Sequence, residues 1–199
     1  PSGPNYDSSA SVLNYCCTWP LPPTGTGNLD ADPQLASVSH LSASSPCRGR
    51  GSATYTTGVD IDGEPWANPP SIGCDEYYSG SLTGALTVAI VASSTNTVAT
   101  LGIELEARIS DRASASRWEF GDGTVVSNRP YASYAWSTAG DYVVTLRAYN
   151  ETYPGGLAAT VMVHVEEQPT HYVALTSTSP TAPYSSWATA ATNIQDAVD

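Results

Sequence analysis

The chain has 199 residues, of which 19 are acidic and 7 are basic, and its formal net charge is −12 at pH 7. This charge argues against nucleic-acid binding, which requires a basic face, and no stretch is long and apolar enough to cross a membrane. All the basic residues are Arg, so a Lys-to-Asn isopeptide crosslink is excluded within the chain, and the 13% share of charged residues favours strands and turns over helices.

Residues 1–80, the N-terminal segment, combine weak hydrophobic periodicity with many residues that break regular structure. The chain starts at Pro1 without an initiator Met, which predicts a processed product or a part of a longer protein. The prolines of the run 16–28 cannot donate hydrogen bonds to a β-ladder. We therefore expect that run to be largely irregular.

Four cysteines, Cys16, Cys17, Cys47 and Cys74, all lie in this segment. Their even number and their Pro- and Gly-rich surroundings predict two disulfides and an oxidising compartment. A bond between Cys16 and Cys17 would be strained, so each is expected to pair with Cys47 or Cys74, and the sequence leaves both pairings open. Zinc is the alternative, but there is no C-x-x-C pair and His40 is the only nearby imidazole.

Three carboxylates alternate at Asp60, Asp62 and Glu64. On an extended segment they would point one way and could ligate Ca²⁺, the one cofactor that the sequence suggests, although Ser71 stands where an EF-hand places its bidentate Glu. We favour the simpler interpretation, a solvated turn held by the Asp side chains and Gly63. A glycosidase-like acid/base role for Asp60 and Asp62 needs a substrate cleft, which nothing in the sequence indicates.

Residues 81–167 have the pattern of short strands separated by turns. Apolar and polar side chains alternate from Leu101 to Ile109 and again from Val161 to Glu166, the period of a half-buried strand. Such strands predict an all-β fold, a two-sheet sandwich. The predicted core residues are Trp118, Phe120, Trp136, Tyr142, Val144 and Leu146.

Two motifs in this region resemble a known family. W-x-F-G-D-G-T starts at Trp118, and G-x-Y-x-V-x-L-x-A-x-N starts at Gly140. Together they resemble the PKD domain, an immunoglobulin-like β-sandwich that is common in bacterial extracellular proteins. The family usually carries a His and a Tyr just before the second motif. This chain has Tyr134 and Trp136 there, which preserves the bulk and changes the polar contacts.

Residues 168–199 form the predicted C-terminal segment, which begins within a linker at 167–170. We expect a strand at 171–176, a loop at 179–186 and an amphipathic helix from Ala190 to Asp199. In that helix Ile194 and Val198 are spaced i, i+4.

Both flanking segments resemble parts of a right-handed parallel β-helix of the pectate-lyase-like kind. Short pieces at 30–35, 40–47, 59–65 and 72–77 follow the order of that family's last coils, and residues 171–199 resemble its opening cap. Two assemblies are consistent with this resemblance. The chain is a window of a longer protein with alternating β-helix and PKD units, or its ends complete each other between subunits in a head-to-tail filament.

No catalytic motif is present in the sequence. It contains no G-x-S-x-G, no H-E-x-x-H and no phosphate-binding Gly loop, and its three His are scattered. We therefore predict a non-enzymatic structural or adhesive module that spaces or polymerises a secreted or cell-surface assembly, with its own copies or other surface subunits as partners. An active β-helix lyase would need catalytic coils outside this chain.

Carbohydrate binding is the main alternative function, as an accessory region of a polysaccharide-degrading enzyme. Trp19 and Trp66 are the candidate stacking residues. Other aromatic residues could also stack on sugar rings, namely Trp136, Trp187 and two Tyr pairs at 77–78 and at 131 and 134. This alternative predicts solvent-facing Trp side chains. In a chain with a single Phe, the same residues would also serve as core fillers.

Overall fold

The computed structural model describes residue 6 and residues 12–198. This part of the chain contains eight β-strands, two short 3₁₀ turns and one short α-helix, and none of its helices is long and apolar enough to cross a membrane. The prediction of an all-β fold is confirmed. The strands are β1 (Thr87–Ala92), β2 (Asn96–Val98), β3 (Ile103–Ser110), β4 (Ala115–Glu119), β5 (Val125–Ser127), β6 (Tyr131–Tyr134), β7 (Gly140–Tyr149) and β8 (Leu157–Glu166). The 3₁₀ turns are Ala53–Tyr55 and Trp187–Thr189, and α1 is Ile194–Val198.

The strands form the two sheets of a sandwich. Sheet 1 has the order β1-β3-β6, and sheet 2 has the order β2-β8-β7-β4-β5. Neighbouring strands are antiparallel except β2, which runs parallel to β8. The alternation seen in the sequence gives each strand an inner and an outer face. Along β3, for example, Leu105 and Ala107 are buried while Glu104 and Arg108 are exposed.

The core between the sheets consists of large apolar side chains from both. Trp118 on β4 and Leu146 on β7 are register partners, and both are fully buried. Burying one such aliphatic side chain contributes roughly 1.5–3 kcal/mol, so the sandwich has ample apolar stabilisation. Tyr142 is half-buried and packs against this core. The buried core residues are Ile103, Leu105, Ala107, Trp118, Phe120, Ala132, Trp136, Val144, Leu146, Val163 and Val165.

Aromatic rings form a continuous row through the core. The rings of Phe120 and Tyr134 stack with centroids 3.8 Å apart, and Tyr134 meets Trp136 edge-on at 5.0 Å. Both buried indoles have acceptors, as buried polar groups require. Trp118 Nε1 donates to the carbonyl of Arg129 at 2.8 Å, and Trp136 Nε1 donates to the carbonyl of Phe120 at 2.9 Å.

The turn after β4 is fixed by Asp122 and its two flanking glycines. Gly121 and Gly123 have φ of +84° and +94°, where residues with a side chain are strained. Asp122 Oδ1 accepts from the backbone N–H of Thr124 at 2.9 Å, and its Oδ2 accepts from the Tyr134 hydroxyl at 2.6 Å. Tyr134 therefore links this turn to β6 through its hydroxyl. This contact is one of the changed polar contacts expected where the family usually has a His and a Tyr.

Regular structure is sparse in the described part of the N-terminal segment. Leu41, Cys47 and Ile72 form a small core there. Its backbone pairs are isolated bridges rather than strands, so a β-helix end here stays a prediction. The bridges are Cys17–Leu29 (parallel), Leu35–Leu41 and Val59–Pro65 (both antiparallel).

The N-terminal segment packs against one end of the sandwich, which we call the docking end. Ala36 is fully buried there and shares a second small core with Leu86, Ala113 and Ala148 of the sandwich. This core therefore contains residues from both sides of position 80, where the sequence predicts a domain boundary. The division of the chain at that position stays a prediction.

The C-terminal segment leaves from the opposite end of the sandwich, which we call the linker end. Leu157 at the start of β8 pairs with Ala148 at the docking end, and Val165 near the end of β8 pairs with Gly140. The ten residues of β8 span about 33 Å at the usual rise of a strand. The points where chain enters and leaves the sandwich are therefore separated by the length of this strand.

The C-terminal segment folds around one parallel bridge between Val173 and Ala191. The predicted strand at 171–176 is reduced to this bridge. The predicted helix starts at Ile194 rather than at Ala190, because the Asn193 side chain accepts from the backbone N–H of Asp196 at 2.9 Å and so caps its N-terminus.

Candidate functional site

A cleft of about 650 Å³ lies between the N-terminal segment and the sandwich. One wall comes from residues 17–19 and 30–35, and the other comes from residues 128–131. We call it the interface cleft. Its aromatic and charged side chains are Trp19, Asp30, Asp32, Arg129 and Tyr131.

Trp19 is placed on the first wall by a short backbone pairing. Thr18 N–H donates to the carbonyl of Leu29 at 2.9 Å, and Leu29 N–H donates to the carbonyl of Cys16 at 2.8 Å. Prolines follow Trp19 and end this pairing, because they have no N–H to donate. The Trp19 side chain remains 61% exposed.

Arg129 and Tyr131 are placed on the second wall by the turn between β5 and β6. The backbone of Arg129 is fixed by its hydrogen bond from Trp118, and its side chain reaches Asp32 of the opposite wall, with 2.5 Å between Nε and Oδ2. Tyr131 opens β6, in which Ala132 faces the core, so the Tyr131 ring points outward and is 62% exposed. The cleft thus offers two exposed rings, one on each wall, beside an ion pair that joins the walls.

Arg112 makes a second ionic contact across the docking interface. Its two terminal nitrogens bind the two oxygens of Glu64 at 2.7 and 3.0 Å, and its Nε lies 2.9 Å from Asp62 Oδ2. The guanidinium also lies over the Tyr78 ring, 5.1 Å from its centroid. The hydrogen bonds that Arg112 donates to Glu64 raise the pKa of Arg112, and the two carboxylates stabilise its charge further. A bidentate pair of this geometry fixes orientation as well as distance.

Residues 86–165 match the family model of the PKD domain. This stretch is a PKD domain. It runs from the residue before β1 to the penultimate residue of β8 and includes both sequence motifs, so the resemblance is confirmed for this part of the chain.

Several solved structures are similar to part of this chain. The PKD1 domain of Vibrio anguillarum Epp is 19% identical, with a TM-score of 0.36, and the match covers 43% of this chain and 98% of that one. The PKD1 domain of the Vibrio cholerae metalloprotease PrtV is 18% identical, with a TM-score of 0.35 and coverages of 41% and 98%. A structure described as the basis for the promiscuous specificity of carbohydrate-binding modules from the beta-sandwich superfamily is 20% identical, with a TM-score of 0.38. That match covers 44% of this chain and 37% of the other, well under two thirds of its length. No curated protein matches the chain.

The three carboxylates considered for calcium already have hydrogen-bonding or ionic partners in the protein. Asp60 is buried in a turn, where its Oδ1 accepts from the N–H groups of Asp62 and Glu64 and its Oδ2 accepts from that of Glu76. Burial alone would raise the pKa of Asp60, but these hydrogen bonds and the charge of Arg112 hold it below its usual range. Asp62 and Glu64 instead bind Arg112. Calcium binding there stays a prediction.

His40 connects a serine to a carboxylate beside this network. Ser37 Oγ lies 2.8 Å from His40 Nδ1, and His40 Nε2 lies 3.2 Å from Asp62 Oδ2. The order resembles a nucleophile, base and acid, but Ser37 is only 1% exposed and its oxygen accepts from the backbone N–H of His40, so no substrate reaches it. Ligand atoms of His40, Asp62 and Asp75 also lie within 4.8 Å of one another. Arg112 already supplies positive charge at Asp62, so we assign no metal to this cluster.

All four cysteines are thiols in the structure, and disulfide bracing stays a prediction. Cys47 is buried in the small core against which Cys17 packs, and Cys17 Sγ donates to the carbonyl of Ala31 at 3.2 Å. Burial, together with the neighbouring Cys17 thiol, raises the pKa of Cys47 to about 12. Cys74 is exposed and its Sγ lies 3.7 Å from the carbonyl of Ser39, while Cys16 Sγ lies 3.4 Å from that of Asn14.

The two tryptophans considered for carbohydrate binding lie apart. Trp19 lines the interface cleft, whereas Trp66 is half-buried elsewhere in the N-terminal segment and its buried Nε1 has no hydrogen-bond partner. The sequence did not identify Arg129 as a cleft residue, nor did it indicate that Tyr131 and Trp19 would line the same cleft. The only available signal was the composition around Tyr131, because the opposite walls are about a hundred residues apart in the chain.

Proposed function

We propose that this chain is a non-catalytic extracellular module that spaces and orients neighbouring parts of a secreted or cell-surface assembly. The observation that carries this proposal is the serial arrangement of its parts. The N-terminal segment is docked at one end of the PKD domain, and the chain continues from the other end after β8. A module of this kind adds a fixed length between its two neighbours in the assembly.

The docking contacts are of the kind that fix an angle between two bodies. The shared core around Ala36 is apolar and buried, and the bidentate pair of Arg112 with Glu64 is directional. The pair of Arg129 with Asp32 lies at a separate point of the same interface. Several separated contacts resist rotation as well as displacement, and this supports a rigid rather than a flexible spacer.

The partners at the two ends are inferred from the resemblance of both flanking segments to a β-helix. Either β-helix units precede and follow the PKD domain in a longer protein, or copies of the chain join head to tail in a filament. Sedimentation velocity at increasing protein concentration distinguishes these arrangements. A filament requires growth of the sedimenting species with concentration, whereas a window of a longer protein stays monomeric.

Small-angle X-ray scattering of the 199-residue chain tests the rigid-spacer role. We expect one elongated particle whose maximum dimension is the same at low and high salt. Arg112→Ala should broaden the distance distribution, because the ionic contacts of Arg112 with Glu64 and Asp62 across the docking interface are lost. Arg108→Ala is the matched control, since Arg108 is exposed and its ionic partner among the described residues is Glu106 on its own strand. A wild-type profile that fits only freely tethered bodies would refute the proposal.

A further inference from the structure

The interface cleft places exposed aromatic rings on both of its walls. Trp19 and Tyr131 are 61% and 62% exposed, whereas Trp118, Trp136 and Phe120 are fully buried. Large aromatic side chains that remain in water on a concave surface are characteristic of binding sites. The cleft volume of about 650 Å³ also falls in the range of about 300–1000 Å³ that is usual for small-molecule sites.

The polar groups of the cleft match a ligand rich in hydroxyl groups. Asp30 and Asp32 present carboxylate oxygens that accept hydrogen bonds, and the Arg129 guanidinium donates them. The pair between Asp32 and Arg129 holds both groups in place before a ligand arrives. Asp32 is further fixed because its Oδ1 accepts from the backbone N–H of Gln34 at 3.0 Å. A sugar ring combines C–H faces that stack on aromatic rings with hydroxyls at its rim that hydrogen-bond to such groups.

The charged residues of the cleft favour an uncharged sugar over an anionic one. The cleft carries two carboxylates against one guanidinium, and that guanidinium is already paired with Asp32. The chain as a whole carries a net charge of −12. Uronate or sulfated glycans would therefore be repelled by the protein and would find no free cation in the cleft.

We propose that the interface cleft binds a neutral oligosaccharide, with Trp19 and Tyr131 as the stacking residues and Asp30 and the Asp32–Arg129 pair as the hydroxyl-binding groups. The site is made jointly by the N-terminal segment and the PKD domain, so it exists only in the docked arrangement. Binding of this kind goes beyond the spacing role and does not depend on it. A spacer that also binds a polysaccharide would anchor its assembly to a surface that carries that polysaccharide.

Affinity electrophoresis tests this proposal with native gels that contain hydroxyethylcellulose, xyloglucan, xylan, galactomannan, laminarin or glycol chitin. Polygalacturonate is the charged control. We expect at least one neutral polysaccharide to retard the full chain and polygalacturonate not to. Trp19→Ala and Tyr131→Ala should each weaken that retardation about tenfold or more, as truncation of a central aromatic contact does.

Two further variants separate binding from folding. Trp187→Ala removes a tryptophan of similar exposure in the C-terminal segment and should leave retardation unchanged. Tyr131→Phe keeps the ring and should retain most of the binding. Near-ultraviolet circular dichroism checks that every variant is folded. The proposal is overturned if no neutral polysaccharide retards the protein, if Trp19→Ala and Tyr131→Ala bind like wild type, or if polygalacturonate binds best.

Discussion

Arg112 and Glu64 form a two-point ion pair between residues 48 positions apart in sequence, one in the PKD domain and the other in the N-terminal segment. The Arg112 side chain is 30% exposed, so solvent weakens the pair without abolishing it. The pair therefore joins two regions that the sequence presents as separate.

Replacing Arg112 by Ala should destabilise the docked arrangement by about 1–3 kcal/mol, because two charge-assisted hydrogen bonds to Glu64 and the ion pair with Asp62 are lost, which leaves His40 as the ionic partner of Asp62. Urea unfolding and hydrogen exchange of residues 59–65 would measure the loss. Arg108→Ala should change stability by no more than about 0.5 kcal/mol, as exposed surface substitutions do. Equal effects of the two substitutions would contradict the role of Arg112.

Asp60 should make the turn at 60–64 sensitive to acid. Its pKa is lowered in the folded chain, so its stabilising effect is complete above the unfolded value of about 3.9 and is lost as the pH falls through the folded pKa. Asp75 has the opposite effect on the pH dependence of stability. Burial raises its pKa, so its contribution to stability falls as the pH rises. Asp60→Asn should remove the Asp60 contribution and leave that of Asp75.

Hydrogen exchange at the Glu76 amide is the appropriate measurement for Asp60. Only Oδ2 of Asp60 accepts from this N–H, and Asn would place an NH₂ group there. The protection factor of the Glu76 amide should therefore fall in Asp60→Asn at pH 7, and in wild type it should fall as the pH drops below about 4. A Glu76 amide that exchanges at the same rate in both proteins would show that the carboxylate is dispensable.

Gly121 and Gly123 provide a matched pair in one turn. Both have positive φ, so Ala at either position pays a conformational cost of about 1–2 kcal/mol. A Cβ at Gly121 would also lie 3.0 Å from the backbone N and O of Val143, whereas one at Gly123 would meet nothing within 4 Å. Thermal unfolding should therefore show a larger loss of stability for Gly121→Ala, and the reverse order would refute this account of the turn.

Under oxidising conditions we expect Cys17 to pair with Cys47, since Cys17 packs against the small core that contains Cys47. Exchange with glutathione disulfide would join the two sulfurs and release two glutathione thiols. Cleavage before Asp30 and Asp32 separates the two cysteines for mass spectrometry. Cys16→Ser should keep the crosslinked peptide and Cys17→Ser should abolish it. A crosslink to Cys47 that survives Cys17→Ser would make Cys16 the partner.

The sandwich was predictable because its strands carry a local signal. Alternation along β3, β7 and β8 marks buried and exposed faces within single strands, and the Gly121–Gly123 turn marks where β4 ends. The three-residue strand β2 carries no such pattern. Its place beside β8 is set by parallel pairing from Asn96–His164 to Val98–Glu166, which no local rule anticipates.

The cleft and the docking interface were not predictable for a related reason. Arg112 lies in a loop, where no sequence feature distinguishes it from an ordinary surface Arg. Its partners are far away in sequence. The irregular path of the N-terminal segment determines that Trp19 rather than Trp66 lines the cleft with Tyr131. That path depends on hydrogen bonds such as those of Asp60 and Asp32, which short sequence patterns do not reveal.

The opposite placement of the two chain connections has a mechanical consequence. Tension applied through residues 86 and 166 would pull along β8, whose neighbour β7 runs antiparallel to it over nine register pairs. The ladder bonds between these strands lie across the direction of pull, so they would have to rupture together in shear instead of unzipping one after another. A module whose two chain connections lie at opposite ends of β8 would therefore resist stretching far better than its equilibrium stability alone suggests.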